Sequence, residues 1–389
     1  MEKIVEDREG YIGLKESHAT LPADYYVDSA HYERELRAIW YKNWIYVCRT
    51  EALDGPRSFR TMEIGSQNIL LVRDDENVLH AFHNTCRHRG SILCTEKHGQ
   101  FPTGSIICPY HRFTYSLQGE LKRTPSRHCP ADFDKADYPL YDVAVEEWKG
   151  CIFVNLSGQD ALPFTQTLEK GSANLDNWPM QALKLGFVYK KVMACNWKIF
   201  WENFNECLHC PGVHPELCKL VPIYSRGLQE AQDYPDWADH RDSNDPKLIG
   251  GMREGAFTWT TDGQPGGKPF ANLTDEERNA GYHFVVSKPS MFIAAHVDYI
   301  RLVRLLPLGV EKTELRVEWL FSEDTLNDEN VDIEAVAEFA RLVMEQDAAV
   351  SELNQQGLRS IRHEQGVLMA EEHDVHDFQN WVREQLGVL

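Results

Sequence analysis

Cys86-Arg87-His88 and Cys108-Pro109-Tyr110-His111 are the two stretches that decide the fold. Each stretch contains one cysteine and one histidine, and 19 residues separate His88 from Cys108. A zinc site made of two Cys and two His normally keeps its cysteines on one turn and its histidines on another. Here each turn provides one of each kind, so the two thiolates can bind one metal ion while the two imidazoles bind a second.

This set of donors is typical of a [2Fe–2S] cluster of the Rieske type, in which two His replace two Cys on one of the irons. We therefore predict that Cys86, His88, Cys108 and His111 bind such a cluster. The two imidazoles raise the reduction potential well above that of an all-cysteine cluster. Because the cluster transfers single electrons, the next question is where those electrons go.

A candidate for the electron acceptor lies about a hundred residues further along, in Asn196–Pro215. His209 and His214 are five residues apart, on a predicted helix over 197–210 that opens at Pro211-Gly212. Two His and one carboxylate form the facial triad of non-haem Fe(II) oxygenases, which leaves coordination positions for O₂. A histidine pair alone would be weak evidence, but the cluster motif upstream supplies the context that a motif match needs.

Together these segments resemble the terminal oxygenase (alpha) component of the Rieske non-haem iron oxygenases, over nearly the whole chain. The residues that carry the resemblance are Ala81–Gly90, Ile107–His111, Asn203-x-x-Glu206-x-x-His209-x₄-His214 and Glu345-Gln346-Asp347. The resemblance implies that Asp347, on a late helix, completes the iron triad with His209 and His214. It also implies catalytic roles for Asn203 and for Glu206, the acid between the two metal centres.

Two positions depart from the commonest family pattern. Arg112-Phe113 replaces the usual Gly-Trp after the second cluster histidine, and we expect this to change packing more than ligation. Glu206 occupies the position at which the family most often has Asp. A Glu at this position recurs in the branch that resembles carnitine and glycine-betaine monooxygenases. Glu202 is a competing acid because it shares a predicted helical face with Glu206, although the motif position favours Glu206.

The predicted fold class is α+β, in two domains. The resemblance implies a β-rich N-terminal Rieske domain over 45–156 and a helix-grip (START-like) catalytic domain with an antiparallel sheet over 161–389. Residues 1–44 are predicted to be a helical segment that packs on the catalytic domain. Segment 229–281, rich in Asp, Gly, Pro and Asn, reads as either a lid or a surface insertion. The strand-like runs are 68–73, 104–108, 186–194, 282–286, 291–295, 299–306 and 314–321, and a long helical run covers 332–361.

The composition limits the classes of partner that we expect the chain to bind. The 389 residues are 42% hydrophobic and can bury more than one core, and the net charge of −20 argues against nucleic-acid and anionic-membrane binding. Met1–Asp7 is not a signal peptide, and no uncharged apolar run approaches about 18 residues, so we expect a cytoplasmic location without a membrane span. Ten cysteines in a chain of this length do not suggest a disulfide framework, and we expect Cys207, Cys210 and Cys218 to be small buried thiols.

The resemblance also implies an electron route. A flavin/iron–sulfur reductase on a separate chain would pass electrons from NAD(P)H to the cluster. The mononuclear Fe(II) would activate O₂, as co-substrate, to hydroxylate a C–H bond. A head-to-tail homotrimer is implied, in which the cluster of one subunit meets the iron of the next. Glu206 would then bridge a cluster histidine to His209 across the interface.

The leading hypothesis for the small-molecule substrate is a quaternary ammonium compound such as glycine betaine, stachydrine or carnitine, which would be N-demethylated or cleaved at a C–N bond. Aromatic faces would hold the cation, although aromatic residues more often simply pack in cores. The candidate walls are Phe257, Trp259, Phe284, Phe292 and Tyr299. An aromatic-ring hydroxylating dioxygenase or aryl O-demethylase with an apolar slot is the alternative. A non-catalytic electron or ligand carrier is disfavoured because it would need no iron triad.

Overall fold

The computed structural model describes residues 10–167 and 175–388. They fall into two compact units. One comprises the described parts of Met1–Ile39, Lys170–Val286 and Met291–Leu389, and the other comprises those of Trp40–Glu169 with Ser287–Ser290. Residues 1–9, at the start of the predicted helical segment, and residues 168–174 and 389, in the predicted catalytic domain, lie outside the described residues. The domain bounds 44/45 and 156/161 stay predictions.

The strands and helices are numbered in chain order. The strands are β1 (His18–Ala19), β2 (Ile45–Arg49), β3 (Ser58–Ile64), β4 (Gln67–Arg73), β5 (Leu79–His83), β6 (His98–Gln100), β7 (Ser105–Ile107), β8 (Thr114–Ser116), β9 (Leu121–Arg123), β10 (Ala144–Trp148), β11 (Cys151–Asn155), β12 (Lys184–Met193), β13 (Tyr282–Ser287), β14 (Met291–His296), β15 (Ile300–Gly309), β16 (Lys312–Phe321) and β17 (Val367–Leu368). The α-helices are α1 (Asp24–Val27), α2 (Ser29–Glu35), α3 (Phe164–Thr167), α4 (Trp197–Phe204), α5 (Cys210–Val213), α6 (Pro215–Leu220), α7 (Pro246–Ile249), α8 (Asp275–Ala280), α9 (Glu323–Leu326), α10 (Ile333–Leu358) and α11 (His373–Gln385).

The smaller unit is made of short antiparallel strands in three sheets, in the orders β5-β4-β3-β6, β10-β11-β2 and β7-β8-β9. The strands predicted at 68–73 and 104–108 are confirmed as β4 and β7. Alternate side chains of these strands point inward and form one apolar core, because successive residues of a strand face opposite sides. Cys86 and Cys108 belong to that core.

The larger unit is organised around a five-stranded sheet in the order β12-β16-β15-β14-β13 and the 26-residue helix α10. The five strands predicted for this domain and its long helix are confirmed. The side chain of Asp332 caps α10 by accepting a hydrogen bond from the Ala335 amide, as N-cap residues do. The buried positions Val336, Phe339 and Val343 recur every three or four residues, so one face of the helix packs inward. The α+β, helix-grip prediction is confirmed by this arrangement.

Helix α4 is shorter than the sequence suggests. Asn196 accepts a hydrogen bond from the Lys198 amide and starts the helix, but α4 ends at Phe204. The prediction of a helix over 197–210 that opens at Pro211-Gly212 is therefore wrong in its end point. Pro211 lies instead in the first turn of α5, where proline is tolerated because the first amide groups have no intrahelical partner. The residues from 205 to 209 form an irregular turn between the two helices.

The described N-terminal segment is tied to α4. Lys198 Nζ lies 2.6 Å from Glu35 Oε1, both side chains are fully buried, and Trp197 donates to the second carboxylate oxygen at 2.9 Å. Tyr26 donates to Glu202 at 2.5 Å. Breaking one partner of a buried ion pair costs about 3–5 kcal/mol, so these contacts hold α4 firmly.

Segment 229–281 contains α7, α8 and several single turns, and part of it is built into the core. Trp259 is 3% exposed, and Thr258 donates to Asp298 Oδ1 at 2.7 Å. The segment is thus more than a surface insertion, since its middle packs inside the larger unit. None of the described helices is long and apolar enough to cross a membrane.

Candidate metal centres and substrate cavity

The predicted cluster ligands lie on two loops of the smaller unit, after β5 and after β7. Cys86 and Cys108 are 3% and 1% exposed, and their sulfurs are close enough to interact. His88 is exposed, and the rings of His88 and His111 are 4.7 Å apart. His111 is half-buried, so the thiols lie deeper in the unit than the two imidazoles. This segregation fits a cluster with two Cys on one iron and two His on the other.

Tyr115 supports the buried side of this site. Its hydroxyl lies 3.3 Å from Cys86 Sγ and also accepts a hydrogen bond from the Arg87 amide at 3.1 Å. Hydrogen bonds to the cysteine sulfurs help to set a cluster's reduction potential. The sequence analysis missed Tyr115, whose only signal is an aromatic residue four positions after His111.

The Arg112-Phe113 replacement changes the surroundings of a predicted ligand. The Phe113 ring stacks on His88 with ring centres 4.6 Å apart and an angle of 3° between the planes. Arg112 has φ of +62°, in the left-handed region that glycine adopts without strain. Arg89 lies 3.0 Å from His111 Nε2 and can donate to it, which leaves Nδ1 of that ring for a metal.

The second predicted site brings three donor atoms to one point. His214 Nε2 lies 2.8 Å from Asp347 Oδ1, His209 Nε2 lies 3.4 Å from the same oxygen, and the two nitrogens are 3.2 Å apart. Adjacent ligand atoms of an octahedral ion with bonds of about 2.1 Å are about 3.0 Å apart. The three atoms therefore fit one face of such an ion. Among the described residues, no other His, Cys, Asp or Glu joins the set.

Both imidazoles are oriented through their outer nitrogens. His209 Nδ1 donates to Glu206 Oε1 at 2.5 Å, and His214 Nδ1 donates to Gln346 Oε1 at 2.7 Å. These bonds select the tautomer in which each Nε2 carries a lone pair for a metal. Gln346 precedes Asp347 on α10, so neighbouring residues supply one ligand and orient another. The sequence analysis quoted Gln346 within a motif but missed this role.

The carboxylates also set the electrostatics of the site. Burial by itself lowers the pKa of His209, but hydrogen bonds to Asp347 and Glu206 more than offset it and raise that pKa to about 9. Burial raises the pKa of Asp347, but its hydrogen bonds with His209 and His214 outweigh this and leave the pKa below its ordinary value. A divalent cation would take the place of the His209 proton, so metal binding at this site is coupled to proton release.

The two candidate acids, four residues apart, occupy different environments. Glu206 is bonded to His209, whereas Glu202 accepts from Tyr26 and, at 2.9 Å, from Gln379 Nε2. Burial raises the pKa of Glu202 to about 7, with the two hydrogen bonds acting in the opposite direction. Asn203 Nδ2 lies 3.3 Å from His209 Nε2, beside the three donors. Glu206 and Asn203 therefore lie at the candidate iron site, and Glu202 instead joins the N-terminal segment to α11.

A cavity of about 70 Å³ opens onto the three donor atoms. Of the five predicted aromatic walls, Trp259, Phe284 and Phe292 line it. Phe257 is 48% exposed and Tyr299 lies behind the wall, where its hydroxyl donates to the Trp259 carbonyl at 2.8 Å. The prediction of these two residues as walls is wrong, because the path of segment 229–281 leaves Phe257 exposed and Tyr299 is buried behind Trp259.

Three residues of the wall were not found from the sequence. Phe204 stacks on Phe292 with centres 3.9 Å apart, and Tyr224 and Arg301 also line the cavity. Phe204 and Tyr224 cannot be told from core aromatics by spacing alone. Arg301 had one signal, a basic residue in the otherwise apolar start of β15.

A second cavity also borders His209. Asn203, Glu206 and His209 line both cavities, and Glu202 and Glu372 line only this second one. Glu206 is therefore placed between the candidate substrate cavity and a separate acidic recess of the same unit.

Cys207 and Cys210 form a disulfide bond, so the expectation that they are free buried thiols is wrong. Cys218 is a half-buried free thiol. The disulfide encloses the turn that carries His209 and joins it to the start of α5. The sequence signal for this disulfide was the Cys-x-x-Cys spacing of Cys207 and Cys210, which overlaps the metal motif around His209.

Two family profiles match the chain. The one described as the ring hydroxylating alpha subunit (catalytic domain) covers residues 173–387. The one described as the Rieske [2Fe-2S] domain covers residues 43–144. The two matches follow one another along the chain in the order of the predicted cluster and iron motifs.

Two relatives match this chain, one over most of its length and the other over about half. The glycine betaine monooxygenase oxygenase subunit of Chromohalobacter salexigens is 30% identical over 384 residues, which span 93% of this chain and 84% of the relative. The carnitine monooxygenase oxygenase subunit of Escherichia coli K12 is 33% identical over 206 residues, 52% of this chain and 54% of the relative.

Solved structures share the fold. The quaternary ammonium Rieske monooxygenase CntA in complex with L-carnitine has a TM-score of 0.68 at 23% identity, with 94% of this chain and 95% of that chain covered. Naphthalene 1,2-dioxygenase from Rhodococcus sp. has a TM-score of 0.72 at 19% identity, with 95% and 94% covered. Since both fit similarly well, the fold alone does not choose between their kinds of substrate.

Proposed function

The chain belongs to the family of Rieske ring-hydroxylating oxygenase alpha subunits, and we propose that it is the oxygenase component of a two-component monooxygenase that acts on a quaternary ammonium substrate. The observation that carries the proposal is an aromatic cavity ending at the three donor atoms of His209, His214 and Asp347. The iron triad would be these three residues, and the cluster ligands would be Cys86, His88, Cys108 and His111.

When bound, the cluster supplies single electrons and the mononuclear iron activates O₂. The protein residues bind and orient. Phe204, Phe284 and Phe292 line the cavity and would contact a cationic head group, and cation–π contacts are worth about 2 kcal/mol or more once desolvated. Gln346 and Glu206 hold the imidazoles in the metal-binding tautomer.

The reaction balances as a monooxygenation. An N-methyl group, O₂, two electrons and two protons give an N-hydroxymethyl group and water. The N-hydroxymethyl ammonium then loses formaldehyde and a proton and leaves the tertiary amine. For a substrate hydroxylated at another carbon beside the nitrogen, the same chemistry breaks that C–N bond instead. The names of two relatives, which specify glycine betaine and carnitine, support the same class of substrate.

For the electron route we propose a head-to-tail homotrimer served by a separate flavin/iron–sulfur reductase that draws on NAD(P)H. Glu206 is suited to bridge subunits because it binds His209 and also lines the second, acidic cavity. Arg89, exposed beside His111, offers the complementary charge on the cluster side of a neighbouring copy. We also propose a cytoplasmic location, where NAD(P)H is available.

The test is turnover with a flavin/iron–sulfur reductase, NAD(P)H and a substrate panel. We expect O₂ uptake with glycine betaine, stachydrine or carnitine, coupled to release of formaldehyde or of trimethylamine. The His214→Ala protein, with an unchanged cluster spectrum, should release neither product. Formaldehyde from 4-methoxybenzoate alone would replace the proposal with the aryl O-demethylase alternative, and a hydroxylated ring product would favour an aromatic-ring hydroxylase.

A further inference from the structure

Arg301 is a buried cation in the wall of the candidate substrate cavity. It is 1% exposed, and its Nε and Nη1 atoms have no hydrogen-bond partner within the described part of the chain. Nearly all buried polar groups in proteins are hydrogen-bonded, and a buried charge is normally paired. An arginine remains charged even when burial lowers its pKa, as it does here. The site therefore holds a positive charge with unused donors.

The strand register explains how a guanidinium fits at this position. Arg301 on β15 pairs with Ala294 on β14 and Trp319 on β16, and paired residues share one face of the sheet. The small Ala294 side chain leaves room for the long arginine. The guanidinium lies over the ring of Trp259, 5.3 Å from its centre, and Trp259 Nε1 is also a buried donor without a partner among the described residues.

Among the residues that the structure describes, no neighbouring group neutralises the charge of Arg301. Asp347 acts on Arg301 at a distance, but its carboxylate is engaged with His209 and His214. Tyr224 and Tyr299 are neutral hydroxyls, since burial raises their pKa values. His296 beside them is also neutral, because burial and Arg301 hold its pKa well below the usual range.

We propose that Arg301 binds a carboxylate of the substrate, so that the substrate is a zwitterion carrying both a quaternary ammonium and a carboxylate group. This rests on the proposed function and narrows it by excluding simple cations such as choline. A guanidinium offers parallel N–H donors that match the two oxygens of a carboxylate. Trp259 Nε1 is the second donor at that end.

The two ends of the cavity would then bind the two charged groups of the substrate. The face of Trp259 is already occupied by the Arg301 guanidinium, so this ring serves the anionic end. Phe204, Phe284 and Phe292 form an adjoining group, in which Phe204 stacks on Phe292 and lies edge-on to Phe284 at 5.5 Å, while Phe284 contacts the Trp259 ring at 6.1 Å. These three phenylalanines serve the cationic end. A carboxylate between the two positive charges would also relieve their mutual repulsion.

The test measures binding to the reduced, oxygen-free holoenzyme. Its ligands are glycine betaine and carnitine, the methyl ester of each, choline, 3,3-dimethylbutyrate and 4-methoxybenzoate. The esters keep the ammonium and lose the negative charge, whereas dimethylbutyrate keeps the carboxylate and replaces nitrogen with carbon. Arg301→Gln and Arg301→Lys are compared with Arg304→Gln, a control on the same strand whose partner is Glu314 at 2.6 Å. Iron content and the cluster spectrum establish that each variant is intact.

We expect at least one zwitterion to bind about thirtyfold or more tightly than its ester and than choline, because unpairing a buried charge typically costs that much or more. Arg301→Gln should remove this preference by weakening only the carboxylate ligands, Arg301→Lys should restore part of it, and Arg304→Gln should keep it. Equal binding of esters and zwitterions by the wild-type protein would overturn the inference even if no variant folds, and would leave the proposed function standing.

Two other outcomes are also decisive. An intact Arg301→Gln protein that still prefers the zwitterion would overturn the role of Arg301. Binding of 4-methoxybenzoate but of no ammonium compound would overturn both the proposed function and the zwitterionic substrate. If that binding depended on Arg301, the carboxylate-binding role of Arg301 would stand and only the ammonium group would be wrong.

Discussion

Replacing Gln346 with leucine should weaken iron binding without touching a ligand. The Gln346 carbonyl oxygen accepts the His214 Nδ1 proton at 2.7 Å, and leucine keeps a similar volume but offers no acceptor. Losing such an outer partner typically lowers metal affinity about 10- to 100-fold, which equals about 1.4–2.7 kcal/mol. His214 is 1% exposed, but Gln346 is only half-buried, so water can partly replace the lost acceptor. We therefore expect a loss of about tenfold, at the lower end of that range.

The assay is Fe(II) titration of metal-depleted protein against a competing chelator, with the cluster absorbance as an internal control. Gln346→Glu should bind iron more tightly than wild type, because a carboxylate accepts a stronger hydrogen bond and makes the imidazole more basic. Glu345→Gln is the matched control, since Glu345 is the preceding residue and pairs instead with Arg341 at 2.7 Å. Unchanged affinity in Gln346→Leu, or an equal loss in Glu345→Gln, would refute the orienting role.

Three further changes test other parts of the structure. Asp347→Ala should lose the mononuclear iron while Glu345→Ala keeps it, as metal analysis would show, and the reverse result would mean that the triad is misassigned. Glu206→Gln should keep both metal centres but slow single-turnover oxidation of the cluster, so a wild-type rate would remove the proposed bridge. Lys198→Met should lower the free energy of unfolding by about 3–5 kcal/mol because Glu35 is left buried and unpaired. Adding Glu35→Gln should recover part of that loss in denaturant titrations, and no recovery would contradict the ion-pair explanation.

The metal motifs and the main strands could be read from the sequence because both depend on local spacing. Metal ions accept few kinds of side chain, so the Cys/His pairs around 86–88 and 108–111 had few alternatives. Strand β16 alternates apolar and polar residues from Leu315 to Trp319, and β15 is mostly apolar, so both patterns predict strands. The iron carboxylate Asp347 was different, since it is one acid among 60 and only its resemblance to a family motif identified it.

The walls of the cavity could not be read in the same way, because they depend on contacts between distant segments. Phe257 and Trp259 are two residues apart in the same irregular segment, yet one is 48% exposed and the other 3% exposed. Nothing in the local sequence separates them, since the difference follows from where the backbone is held, for example by the Thr258 bond to Asp298. Arg301 is similar, because its lack of a partner is a property of the assembled cavity and not of its strand.

The end of α4 links these observations to function. In a continuous helix Glu202 and Glu206, four residues apart, would share one face and compete for the same role. Because α4 stops at Phe204, the backbone turns before Glu206 and its carboxylate reaches His209, while Glu202 stays with Tyr26 in the N-terminal contact. The irregular turn from 205 to 209 therefore assigns one acid to stability and the other to the candidate iron site. A substitution that extended α4 through this turn would move Glu206 away from His209, so the shortness of the helix is itself a requirement of the proposed site.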